Sequence, residues 1–266
     1  MDWNNDGKKD LLVGESSLYA YLYINEGTEF DPVLGGGTIV AWTGQRVAPY
    51  VVDWNEDGKK DLLVGEKTGL ISLLINENTD DDPQFPDQSL NVLAGFEDLD
   101  VGERSNPEMP DWNNDGKKDL ISGEYYGNIY IYLNIGTNSD PDFGPREQMK
   151  AGSAVVDVGT TARIDVVDWN NDGLLDVLSG CKDGFVYYFE QEFIFKFESI
   201  SYEPGVGTRL VWRSRSGESY TVYYSDDTEN WTTVPGEINS GGVTTEWVDT
   251  SSTGATRRIY KVSYNE

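Results

Sequence analysis

Four stretches of the chain set side-chain oxygens at every second position and then turn on a glycine, the arrangement by which a short loop encloses a hard cation. The first carries Asp2, Asn4, Asp6, Lys8 and Asp10, and the second Asp53, Asn55, Asp57, Lys59 and Asp61. The third carries Asp111, Asn113, Asp115, Lys117 and Asp119, and the fourth Asp168, Asn170, Asp172, Leu174 and Asp176. Each offers three carboxylates and one amide oxygen. Gly7, Gly58, Gly116 and Gly173 follow the fifth position, where a residue without Cβ reverses the chain at no steric cost. That reversal is expected to turn the carbonyl of Lys8, Lys59, Lys117 or Leu174 inward. The set suits Ca²⁺, up to four ions, better than Mg²⁺, which prefers a tight octahedron and keeps its waters. Since the seventh position would give only its carbonyl, Leu174 should leave the fourth site intact.

An EF-hand starts in the same way but needs a bidentate Glu at loop position twelve and a helix on each side. Position twelve is Val13, Val64, Ser122 or Ser179, and the segments just after the loops (L-L-V-G, L-L-V-G, L-I-S-G, V-L-S-G) look like short buried strands. The EF-hand is therefore rejected. Asp, Asn and Gly also dominate ordinary polar turns. Against that plainer reading stand four copies with the same acids at the same offsets.

The loops begin at residues 2, 53, 111 and 168, so a unit of between 51 and 58 residues recurs. Repeats of that size are small sheets that bury their faces only by stacking on neighbours. In the second copy an extended segment, Val47 to Val52, precedes the loop, and Leu62 to Gly65 and Leu70 to Ile75 come after it. In the third, Asn128 to Leu133 alternates with the period of a half-buried strand. Helical periodicity is absent. The expected fold is all-β: a β-propeller of four repeats, four-bladed or partial, with about four strands per blade. Trp3, Trp54, Trp112 and Trp169 share the second loop position and are expected to pack blade against blade. Tyr125 and Tyr126, unique to the third copy, are better candidates for a ligand surface, although sheet aromatics explain them too.

These residues resemble the FG-GAP/VCBS repeats of integrin-like β-propellers. The resemblance covers about residues 1–190 and rests on D-W-N-N-D-G-K-K-D-L-L-V-G followed by a hairpin and N-x-G-T, at Asn25 to Thr28 and Asn134 to Thr137. It implies that the loop joins the first two strands of a blade and holds Ca²⁺. The second copy departs at Asn76-Glu77-Asn78-Thr79, where Asn78 replaces the glycine and puts the hairpin geometry in doubt.

Composition narrows the function. A formal charge of −27 argues against nucleic acid and against an anionic membrane face, and makes divalent cations the natural partners. No histidine occurs, which excludes a Ser-His-Asp triad, a Cys-His dyad and any His-ligated zinc site in this chain. Carboxylate-pair chemistry is not excluded, but the best-placed acids belong to the loops. Cys181, the only cysteine, reads as a small core residue rather than a nucleophile. No apolar run is long enough to span a membrane, and no export signal is visible. Calcium modules of this kind work at the millimolar levels outside cells, so an extracellular or cell-surface location is expected, with the native N-terminus upstream.

The first blade lacks the strand that precedes the loop elsewhere, and after Phe185 to Glu190 the last lacks an outer strand. Open edges are templates for another chain. A cropped chain, a ring that tolerates the gap, and completion by a neighbour to give a homo-oligomer or filament are all consistent with this. From about Glu192 the texture changes to Thr- and Ser-rich strands: Ile194 to Ser201, Thr208 to Trp212, Tyr220 to Ser225, Thr244 to Asp249 and Arg257 to Ser263. The turns Pro204-Gly205, Ser216-Gly217 and Gly241-Gly242 separate them. Residues 192–266 thus read as a β-sandwich similar to Ig and fibronectin type III modules, with Trp212 and Trp231 in its core, after a propeller at 1–191. The expected function is a non-catalytic calcium-binding module for adhesion, recognition or assembly, with a protein or carbohydrate as ligand. The rivals are an accessory domain of a secreted polysaccharide-active enzyme, or of a phosphoester-cleaving one, and a self-assembling filament subunit.

Overall fold

The computed structural model describes residues 1–42, 44–85, 90–191, 197–214, 217–227, 229–242, 244–253 and 258–265. Of the sequence expectations, Ile194 to Lys196, Ser216, Arg257 and the boundary residue Glu192 lie outside the described residues. The chain divides into two units. Met1–Val167 with Val177–Phe189 form the first, and Asp168–Asp176 with Glu190–Glu266 the second. The division differs from a single cut after residue 191, because the fourth acidic loop goes with the C-terminal residues.

The first unit holds four antiparallel sheets in chain order. The first sheet is β1 (Leu11–Gly14), β2 (Tyr19–Tyr23) and β3 (Thr38–Trp42). The second is β4 (Ala48–Val52), β5 (Asp61–Gly65), β6 (Ile71–Leu74) and β7 (Leu90–Asn91), followed by the hairpin β8 (Leu93–Ala94) and β9 (Glu97–Asp98). The third is β10 (Asn106–Glu108), β11 (Leu120–Gly123), β12 (Ile129–Tyr132) and β13 (Glu147–Gln148), followed by the hairpin β14 (Lys150–Ala151) and β15 (Ala154–Val155). The fourth is β16 (Arg163–Val167), β17 (Asp176–Gly180) and β18 (Val186–Phe189). Among the described residues the first sheet has no strand before its loop and the fourth has no outer one, as the sequence suggests. One register recurs: Leu11 pairs with Tyr23, Leu62 with Leu74, Leu120 with Tyr132 and Val177 with Phe189.

Strand alternation explains why the middle sheets are apolar on both faces. Leu62 and Val64 of β5 pack with Trp3, Ala20 and Leu22 of the preceding repeat. Leu63, between them in sequence, packs with Leu120, Tyr132 and Phe143 of the next one. On β11 the same split sends Leu120 back and Ile121 forward, onto Ile164 and Val177. Each fully buried side chain of this kind contributes about 1.5–3 kcal/mol. The glycine that ends the loop-following strand has a steric reason in the first three repeats, whereas a Cβ on Gly180 of the fourth would meet nothing within 4 Å. A Cβ on Gly14 would lie 1.9 Å from the carbonyl oxygen of Val47, and one on Gly65 would lie 2.3 Å from that of Ser105. The next repeat enters through that gap.

Ser105 fastens this entry. Its buried hydroxyl donates to the carbonyl of Leu70 at 2.8 Å and accepts from the N–H of Glu66 at 2.8 Å. Ser105→Ala should lower stability by about 1–2 kcal/mol, read from denaturant midpoints at unchanged slope.

The tryptophan expectation holds where a further repeat comes next in the chain. Trp3 is buried, Trp54 packs on the third sheet with its ring 6.2 Å from Phe143, and Trp112 packs against the cluster around Val177. Trp169 is 62% exposed, because the sequence has no fifth acidic repeat to cover it. Cys181 is half-buried at the margin of the last cluster.

The second unit contains two more sheets. One is β19 (Phe197–Glu203), β20 (Gly207–Arg213) and β24 (Thr244–Asp249). The other joins β21 (Ser219–Ser225) to β22 (Thr232–Thr233), β23 (Ile238–Asn239) and β25 (Ile259–Asn265). Leu210 and Trp212 of the first sheet share a core with Tyr220, Val222 and Val262 of the second. Trp212 is in that core as expected. Trp231 is not: it is 43% exposed, on the turn before the two-residue strand β22, too short to carry it inward.

Candidate metal centre

The four acidic loops fold alike. In the first, Asp2 receives the N–H of Asp6 on Oδ1 at 3.1 Å and the N–H of Gly7 on Oδ2 at 2.9 Å. Asn4 Oδ1 accepts from the same Asp6 N–H at 3.2 Å, and Asp6 Oδ1 accepts from the N–H of Lys8 at 2.9 Å. The second loop repeats every bond with Asp53, Asn55 and Asp57, and the third with Asp111, Asn113 and Asp115. Asp168, Asn170 and Asp172 do so in the fourth. Sharing one donor holds the first and third side chains side by side. The fourth position is left-handed throughout, with φ from 55° to 60° at Asn5, Glu56, Asn114 and Asn171, a conformation non-glycine residues seldom take.

The ninth-position acid, also expected as a ligand, is anchored by main-chain donors. Asp10 is buried, and its two oxygens accept from the N–H of Trp3 and the N–H of Asn25, each at 2.7 Å. Asp61 does the same with Trp54 and Asn76, and Asp119 with Trp112 and Asn134. Asp176 does it with Trp169 and Gln191. These four acids staple each loop to the turn after its hairpin. Burial pushes the carboxyls of Asp61 and Asp119 up, against the N–H bonds they accept.

The seventh-position lysines also use their side chains. The ammonium groups of Lys8, Lys59 and Lys117 donate to the carbonyls of Asn25, Asn76 and Asn134 at 2.9, 3.0 and 3.3 Å. Those of Lys8 and Lys59 also pair with Asp6 and Asp57 at 3.1 and 3.0 Å. Partial burial works against ionisation of Asp57, but the bonds from Lys59 outweigh it and hold that carboxyl below its usual range. Leu174 brings no such charge to the fourth loop.

The asparagines of the N-x-G-T turns are residues that spacing alone did not single out as functional. Asn25 is buried; its Oδ1 accepts from the N–H groups of Gly27 and Val33, and its Nδ2 donates to the carbonyl of Thr28. Asn134 repeats the pattern. So does Asn76, although Asn78 stands where the others have glycine, and the hairpin in that copy is therefore preserved. The recurrence of the motif was the available signal.

Among the described residues no three acidic or cysteine side chains stand together as a cage of their own. A hard cation would have to be held by a mixed oxygen set. The residues present fit one: the first, third and fifth positions bring two carboxylates and an amide oxygen onto a loop whose N–H groups already gather them. Of the candidate ligand-surface tyrosines, Tyr126 is exposed and Tyr125 is half-buried, with their rings 5.2 Å apart, edge to face.

No curated protein matches the chain. The family model for the FG-GAP-like repeat matches residues 2–64 and 111–179, each match running from one acidic loop through the next, so the chain carries FG-GAP-like repeats in two regions.

Proposed function

We propose that the chain is a non-catalytic, calcium-stabilised β-propeller module that works in adhesion, recognition or assembly outside the cell. The observation carrying this reading is the repetition of one oxygen-gathering hydrogen-bond scaffold in all four loops. The propeller reading draws on the FG-GAP-like repeats and on neighbouring sheets that pack face to face in chain order. The C-terminal sheets then serve as a fibronectin-like spacer.

Asp2, Asn4 and Asp6, their counterparts in the other loops, and the main-chain carbonyl at the seventh position would hold the ion. A bound divalent cation would neutralise carboxylates that otherwise repel one another. The protein's own share is positional. The staple acids fix both ends of each loop, and the left-handed fourth position sets its curvature.

Calcium titrated into chelator-treated protein should bind with a stoichiometry of up to four and raise the melting temperature. At ten times the dissociation constant the gain is about 1.4 kcal/mol per site. A melting curve indifferent to both calcium and EDTA at low salt would refute the reading.

Assembly through open edges is the second reading, favoured by one observation. On β18 and the turn before it, Phe185, Val186 and Tyr188 are exposed, and among the described residues the sheet has no outer strand. Sedimentation as a strict monomer in calcium would count against it.

A further inference from the structure

The chain carries 47 acidic residues and 20 basic ones, so a cavity lined by cations and by no acid runs against its composition. One exists in the first unit. Arg46, Arg104, Arg163 and Lys182 line a single cavity of about 600 Å³ together with Tyr125 and Thr161. Among the described residues no ion pair joins any of these four cations to a carboxylate. Nε of Arg104 is buried with no hydrogen-bond partner, a rare condition for a charged group. Its guanidinium stacks on Tyr125, 4.0 Å from the ring centroid.

The fold builds this cluster from the repeat. Arg46 and Arg104 each stand seven residues before an acidic loop, and Thr161 stands at the same place in the fourth copy. All three have left-handed backbones, with φ of 59°, 56° and 66°. Each N–H donates to a carbonyl at the hairpin of the preceding repeat: Ser17, Lys67 and Tyr125 respectively. A branched or long side chain in that conformation is strained, and such strain concentrates at binding sites. Arg163 opens the next strand, β16. Its guanidinium is held below its ordinary value by burial and by the charges of Arg104 and Arg46.

We propose that this cavity binds an oxyanion, a carboxylate or sulfate group carried by a ligand about the size of a monosaccharide, with the arginine forks on the anion and Tyr125 beside its carrier. Planar guanidinium groups suit such anions because they donate two parallel bonds at once. The volume lies within the range of small-molecule sites and exceeds what a bare inorganic ion needs. An anion would relieve the mutual repulsion of the arginines. Calcium in the loops plays no part in this site, so the two proposals stand or fall separately.

The test uses the full chain at fixed calcium and low salt, with sodium sulfate, glucuronate and glucose as probes. Sulfate and glucuronate should each give saturable binding by calorimetry and raise the melting temperature, and glucose should do neither. Tighter binding of glucuronate than of sulfate assigns the anion to a sugar carrier, whereas equal affinities assign it to the free ion. Arg46→Gln, at an exposed position that should not disturb folding, and Arg163→Gln should each weaken binding by about tenfold or more. Arg163→Lys should recover only part of the loss. No saturable binding of either anion to folded wild-type protein would overturn the proposal. So would wild-type affinity in the Arg46→Gln and Arg163→Gln variants, or glucose binding as well as glucuronate.

Discussion

Asp61→Ala is expected to destabilise the first unit by about 3–5 kcal/mol, whereas Asp57→Ala, four residues earlier in the same loop, should cost about 1 kcal/mol or less without metal. Asp61 has no exposed surface, and its two oxygens satisfy the N–H groups of Trp54 at 2.9 Å and Asn76 at 2.8 Å. Alanine leaves both donors without acceptors inside the fold, and each orphaned donor costs about 1–3 kcal/mol. Asp57 accepts from the N–H of Lys59 and pairs with its ammonium at the surface, where water replaces what is lost. The order should reverse in the response to calcium: Asp57→Ala removes a candidate ligand, and Asp61→Ala only the staple behind it. Urea unfolding of both variants in chelator and in calcium measures the two effects. Equal losses in chelator, or a full calcium response from Asp57→Ala, would mean that staple and ligand have been assigned to the wrong residues.

The same two acids mark the limit of what spacing reveals. Spacing located every loop and the strands after it, because a period of two and a fixed offset are local properties. It could not separate Asp61 from Asp57, since the three acids at fixed offsets in each loop look equivalent until the partner at Asn76 is brought to one of them. The partner's motif was visible, but its contact spans the hairpin between them. Trp169 and Trp231 failed as core residues for a related reason. An aromatic side chain is buried only if another element covers it, and coverage depends on which element lies against it in three dimensions. The arginine cluster lay further out of reach. The common offset of Arg46 and Arg104 before their loops is legible, but Arg163 and Lys182 join them only through the stacking of successive repeats.

Raising the pH from 5 to 8 should weaken the wild-type first unit by about 2–3 kcal/mol more than the Glu108→Gln variant. Glu108 lies on β10, where Oε2 accepts from the N–H of Val166 at 3.1 Å, and Asn106 on the same strand accepts from the N–H of Ile164 at 2.9 Å. These two side chains stand in for a neighbouring strand along β16. Burial drives the carboxyl of Glu108 up to about 7, the charge of Asp165 adds to the effect, and the bond from Val166 opposes it. A folded-state value above the unfolded one means that protonation favours the fold. The contribution is therefore complete below about pH 4.5 and disappears as pH rises through 7. Asp57 and Asp80 carry the opposite sign: bonds from Lys59 and Lys60 outweigh their desolvation and hold both carboxyls low, so their contributions are lost only in acid. Glutamine keeps the acceptor for Val166 and cannot ionise, which leaves the surface acids common to both proteins and isolates the one group. Parallel stability profiles for wild type and Glu108→Gln between pH 5 and 8 would show that the carboxyl titrates as an ordinary surface acid, and that β16 does not depend on a neutral side chain to complete its edge.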